Sequence, residues 1–204
     1  TPLGKAYLVM MLLIFGMATE IFIPYFLQII HHIQPLGAGY LTAMMAAGWT
    51  IASIPSAAQI GVNRRVLMLI GPICIALSLI VLACTLSIES EGSKGLLVLY
   101  GVALVGVGFG IGLVWPHLLN LVFISAPKGE EALTSASVTT VQLYATALAA
   151  ALSGLVVNQA GIVSIGGVFG AQLASNWLFA LFSIAPILAI IFVYRIVKMP
   201  AFNV

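Results

Sequence analysis

The sequence predicts an all-α membrane protein of six transmembrane helices. Three observations carry this: a near-absence of charge, six apolar runs of spanning length, and basic residues confined almost wholly to one side. Of 204 residues, 62% are hydrophobic and 6% charged, against about a quarter charged in soluble domains. Mean hydropathy is +1.22. A water-soluble fold of this size could not cover its surface with so few charges, so its solvent is lipid. The net charge of +2 is too small to suggest a nucleic-acid partner.

A span needs about 20 mostly apolar residues to cross roughly 30 Å of hydrocarbon. Six runs qualify, at 6–31, 39–60, 66–88, 96–125, 134–158 and 176–198, within a single domain over 1–204. Polar or helix-breaking stretches separate them at 32–35, 61–65, 89–95 and 126–131, with a Gly-rich tract at 161–170. The runs are too long and continuous for a spanning β-barrel. The first run shows no signal-cleavage pattern. A start at Thr1-Pro2 reads as a piece of a longer polypeptide.

Six crossings place both termini on one side with Lys5, Arg64, Arg65, Lys128, Arg195 and Lys198, leaving Lys94 on the other. Basic residues mark cytoplasmic loops. The termini and the loops after the second and fourth runs are therefore expected in the cytoplasm. Cys74 and Cys84 lie ten positions apart in one run, about 15 Å along a helix, too far for a disulfide. They lack His or Asp company and read as packing thiols, so no metal or cofactor is expected.

Polar side chains in a bilayer tend to face the bundle interior or a water-filled cavity. The second run carries Thr42, Trp49, Ser53 and Ser56 on one helical stripe; the fifth carries Ser135, Thr139, Gln142, Thr146 and Ser153. The first has Glu20 and Gln28, the fourth His117 and Asn120, and the third and sixth have almost nothing. Four helices thus line an interior and two are peripheral. Any single Ser or Thr is better explained by bonding its own preceding carbonyl than by binding a ligand; the stripes as sets carry the signal. The glycines of the fourth run, Gly106/Gly110 and Gly108/Gly112, have the spacing that lets backbones approach closely. Their GxGxG pattern is mid-helix with no preceding strand, so it is no dinucleotide fingerprint.

Pro24, Pro55, Pro116 and Pro186 sit inside four runs and predict kinks, each removing a backbone donor. Pro24 would free the carbonyl of Glu20. Kinked helices with polar groups near the midplane are what transporters use to bind substrates and ions. Glu20 is the one charged residue away from the span ends. A midplane carboxylate costs several kcal/mol unless protonated, paired or hydrated. It reads either as a proton carrier or as a protonated carboxyl hydrogen-bonding between helices. His117, about 10 Å from the centre by helical rise, serves equally as a proton relay, a substrate contact or a packed imidazole. His31 and His32 fall at the outer interface, where solvation is expected.

Together these residues resemble the C-terminal half of a major facilitator superfamily transporter, and the resemblance covers nearly the whole chain. Ile23-Pro24-Tyr25-Phe26-Leu27-Gln28 followed by Gln34-Pro35-Leu36-Gly37-Ala38-Gly39 is similar to the seventh helix and following loop of drug:proton antiporters. Ser56-Ala57-Ala58-Gln59-Ile60-Gly61-Val62-Asn63-Arg64-Arg65 resembles the second, usually degenerate copy of the family's basic cytoplasmic loop motif, without its acidic residue and with Gln59 nearby. Ala126-Pro127-Lys128-Gly129-Glu130-Glu131 resembles its tenth-to-eleventh loop. The resemblance implies a six-helix half-bundle built as a 3+3 inverted repeat, alternating access, and a cavity lined by the first, second, fourth and fifth helices.

The expected function is secondary active transport, as proton-coupled efflux of small amphipathic molecules across the cytoplasmic (inner) membrane, and not an enzyme activity. Glu20 and His117 are candidates for coupling or substrate contact. Gln28, Trp49, Ser53, Asn120, Thr139, Gln142 and Thr146 are candidates to line the cavity, with Trp115, Tyr144 and the methionines suiting an apolar, adaptable one. The partners are substrate, protons, lipid and a second six-helix half, whether in the same polypeptide, a separate chain or a second copy. The alternative is a standalone six-helix capture subunit of an ATP-driven nutrient importer. An intramembrane protease is rejected, since Ser153-Gly154 lacks the preceding Gly of the nucleophile motif and His117 is on another helix.

Overall fold

A computed structural model describes residues 2–89, 93–127 and 129–199. Thr1, part of the 89–95 loop and Lys128 of the 126–131 stretch lie outside the described residues. The elements are α1 (Pro2–Met17), a 3-10 turn (Ala18–Ile21), α2 (Ile23–His31), α3 (Pro35–Ala57), α4 (Gly61–Thr85), α5 (Lys94–Ile124), α6 (Glu131–Gln159) and α7 (Gly167–Val197). No strand occurs among the described residues. Among the described residues, five stretches are long and apolar enough to cross a membrane: Pro2–His31, Gly61–Thr85, Lys94–Ile124, Ala132–Gln159 and Gly167–Val197. At 23 residues α3 is long enough, but Tyr40, Thr42, Trp49, Thr50 and Ser53 make it less apolar.

The run at 6–31 is therefore two helices joined by a 3-10 turn, not one. Pro24 has no N–H to give the Glu20 carbonyl four residues back. The backbone tightens instead, and N–H groups at the end of the turn bond the Thr19 and Glu20 carbonyls. The expectation that Glu20's carbonyl is left unpaired is thus corrected. Pro24 falls in the first turn of α2, where a missing donor costs nothing. At the other end of α2, His32 takes a left-handed conformation (φ 55°), and Ile33 N–H closes on the Leu27 carbonyl at 3.2 Å.

Other boundaries also shift. The second run starts at Pro35, because proline suits a helix start. Arg64 and Arg65, expected in a loop, lie in the first turns of α4, and Arg64 is buried. The Gly-rich tract ends sooner than its composition suggests, since Gly166 and Gly167, at positive φ, start α7, and Gly170, Ala171 and Ala174 are already buried in it.

The core is organised on α5, which packs most extensively on α3 and α4. Its glycines allow this on both sides. A Cβ at Gly108 or Gly112 would run into the Met45 or Trp49 carbonyl of α3, and one at Gly110 would meet the Gly71 carbonyl of α4. α4 also packs on α7, and α7 on α1 and α2, with Phe15 of α1 stacked on Phe182 and Phe26 of α2 tilted against Phe179, both at 6.2 Å. The outer faces of α4 and α7 present Ile73, Leu77, Ile184 and Ile191. α6 rests on α1 and α7 through Val138, Ala145, Ala149 and Val157, and buries least of the five.

His31 is not solvated as expected. It is buried and bonds the Leu86 carbonyl at 2.9 Å, while Tyr100 OH donates to the Thr85 carbonyl at 2.9 Å. Both serve orphan carbonyls at the end of α4. Cys74 is half-buried, and Cys84 is exposed rather than packed.

Candidate functional site

A cleft of about 220 Å³ is lined by Ile14, Met17, Ala18, Glu20, Ile21, Trp49, Trp115, Gln142 and Thr146. Its walls come from α1, the 3-10 turn, α3, α5 and α6. Glu20 sits near the middle of the Pro2–His31 stretch, brought to the wall by the tightened turn. Beside it Thr19 donates back to the Gly16 carbonyl at 3.1 Å. Among the described residues no side-chain hydrogen bond or ion pair involves Glu20. A half-buried carboxyl is thus available to a ligand, a proton or water. Trp49 and Trp115 meet at 5.7 Å between ring centroids, tilted by 59°, and give the cleft an aromatic wall. Gln142 and Thr146 face them from α6.

Of the sequence candidates, Glu20, Trp49, Gln142 and Thr146 come together here, with Trp115. The others do not line this cleft. Gln28 donates to the Pro24 carbonyl at 2.9 Å. Ser53 bonds the Thr50 carbonyl at 3.2 Å and Thr139 the Ser135 carbonyl at 3.4 Å, so both serve their own helices. Asn120 and Tyr144 are exposed. Ser153 is buried and donates to the Ala150 carbonyl. The apolar wall of Ile14, Met17, Ala18 and Ile21 follows the i, i+3, i+4, i+7 spacing that marks one helical face in a sequence.

His117 belongs to a second cluster. It is buried 3.0 Å from Ser56 Oγ, and Ser56 donates to the Leu113 carbonyl at 2.7 Å. Arg64 is near enough for its charge to act on the imidazole. This cluster borders a more open cavity of about 310 Å³ lined by Pro55, Ser56, Gln59, Asn63, Val66, Leu67 and Leu113. Pro55 and Pro116 lie inside α3 and α5, which continue past them. Pro72 likewise lies inside α4, which continues past it.

Two Mycobacterium tuberculosis proteins, from two strains and each named a "probable multidrug-efflux transporter", are 33% identical to this chain over 163 residues, 78% of its length. The chain spans about a third (34%) of those relatives' own length. No protein-family model matches the chain.

Proposed function

We propose that this chain is one six-helix half of a secondary transporter of the major facilitator type, a 3+3 repeat with cytoplasmic termini and α3 as its sixth span. In this reading it exports small amphipathic molecules in exchange for protons, and Glu20 carries the proton. The observation that supports it most is the cleft. It joins a half-buried carboxyl with no side-chain partner among the described residues, a tryptophan pair and two neutral hydrogen-bonding side chains from elements far apart in sequence. Its volume of about 220 Å³ falls below the roughly 300–1,000 Å³ of complete ligand sites. That is the size of one wall awaiting a facing half. The exposed flanks of α3 and α6, with Ile51, Ile54, Leu143 and Tyr144 outward, would meet that half. The similarity to efflux transporters favours this over the importer-subunit alternative.

The test is pH-gradient-driven flux of an amphipathic dye in proteoliposomes of the assembled transporter, comparing wild type with Glu20→Gln. The amide keeps shape and hydrogen bonding but cannot titrate. Uphill flux should vanish while dye binding persists. Equal uphill flux in both would sink the role of Glu20.

A further inference from the structure

The Ser56–His117 cluster has no part in the cleft, yet its protons can be placed. Ser56 is 1% exposed and His117 4%. A serine hydroxyl has one proton to give, and a carbonyl can only accept. At 2.7 Å from the Leu113 carbonyl, that proton is spent there. The 3.0 Å contact with His117 must then be donated by imidazole Nε2–H into a lone pair of Ser56 Oγ. His117 therefore carries a proton on Nε2 whether neutral or charged, and only Nδ1 is left to titrate.

These are the only side-chain hydrogen bonds between α3 and α5 among the described residues. Besides the Trp49–Trp115 ring contact, much of the interface is close glycine packing, with Gly48 on Val105, Gly108 on Met45 and Gly112 on Trp49. Such contacts let the helices approach closely but restrain sliding weakly, whereas a hydrogen bond is directional. Trp49 lies seven residues before Ser56, two turns up the same face, and Trp115 lies two residues before His117. A slip of one helical turn, about 5.4 Å, would separate the tryptophan rings.

We propose that Ser56 and His117 are positioning residues of the cleft: their hydrogen-bonded pair, anchored on the Leu113 carbonyl, sets the register of α3 on α5 and so brings Trp49 against Trp115. Its meaning for transport rests on the function proposed above, but its test does not.

The full chain, ¹⁵N-labelled at histidine in lipid nanodiscs, should show the Nε2–H tautomer for the resonance that disappears in His117→Gln. That resonance should shift in Ser56→Ala, while the His31 resonance stays put and reports an intact fold. An Nδ1–H tautomer at His117 in the unmodified chain would overturn the proposal, with no variant needed. Independently, the Trp49–Trp115 exciton signal in near-ultraviolet circular dichroism, identified by its loss in Trp49→Phe, should fall by half or more in Ser56→Ala and His117→Leu. His117→Gln, whose amide keeps a donor near the Nε2 position, should restore it. A wild-type signal in both deletions would equally refute the register role. Neither readout needs substrate or a proton gradient, so an inactive protein with these results would count against transport and leave the pairing standing.

Discussion

Gly108→Ala puts a methyl group into the tightest part of the α3–α5 interface. Its Cβ would run into the Met45 carbonyl oxygen, with the Met45 carbonyl carbon at 2.7 Å and the Trp49 nitrogen at 3.0 Å. Carbon contacts sit comfortably at roughly 3.5–4.0 Å, so the helices must part by about 1 Å. Overpacking of this kind costs about 1–3 kcal/mol. Alanine returns about 0.5–1 kcal/mol through its better helix propensity, which obscures the cost in a single measurement. Gly154→Ala supplies the reference: it is a helical glycine on α6 with nothing within 4 Å of the added Cβ, so only the propensity gain applies. The difference between the two variants isolates the steric term, about 1–3 kcal/mol, or roughly 2–12 °C at the 2–4 °C per kcal/mol usual for this chain length. Thermal unfolding in nanodiscs measures it. Equal midpoints would show that α3 and α5 are not in backbone contact at Gly108.

Trp49→Ala and Trp115→Ala each remove one partner of a ring pair of a kind worth about 0.5–1.5 kcal/mol beyond burial, so dye affinity of the assembled transporter should fall about 2- to 12-fold; unchanged titrations for both would remove the pair from the site. In a background with Cys74 and Cys84 replaced, an impermeant thiol reagent applied outside should modify a cysteine at position 92 and spare one at 63, and the reverse pattern would invert the proposed topology.

The apolar runs were legible because lipid leaves few ways to hide a polar backbone, and helix existence follows from length and composition alone. The boundaries were less so. Gly167 to Gly170 fell in the Gly-rich tract at 161–170, before the sixth predicted span, yet α7 already starts at Gly167, with Gly170, Ala171 and Ala174 buried. At Arg64 and Arg65 two charges read as a loop, although a helix start tolerates them when the stems pack. The cleft was legible where a rare residue type marked it, as at Glu20, Trp49 and Gln142. The hydroxyls divided: Ser53 and Thr139 bond carbonyls of their own helices, whereas Thr146 of the same stripe as Thr139 lines the cleft. The Ser56–His117 contact spans 61 positions, and no local pattern announces a pairing fixed by how two helices cross.

The prolines separate into two kinds, and this yields the last prediction. Pro116 interrupts a 31-residue helix that continues on both sides, so Pro116→Ala restores a backbone bond. The gain is about 3 kcal/mol in an isolated helix interior and less where membrane neighbours already serve the freed carbonyl, so about 1–3 kcal/mol is expected. Pro24 begins α2, where early N–H groups have no helical partner, and the Glu20 carbonyl is already bonded. The turn is also held from both sides. A 3-10 helix advances about 120° per residue against 100° for an α-helix, so making Ala18–Ile21 α-helical would rotate α2 on α1 by about 80°. Leu13 and Gly16 before the turn and Ile23, Phe26, Leu27 and Ile30 after it are all buried, and they could not all remain so. Pro24→Ala should therefore leave the turn in place and change stability by under about 1 kcal/mol. Unfolding of the two variants in the same nanodiscs decides the matter. If Pro24→Ala stabilises as much as Pro116→Ala, the break is proline's doing alone, and the packing of α1 and α2 does not hold Glu20 in the wall.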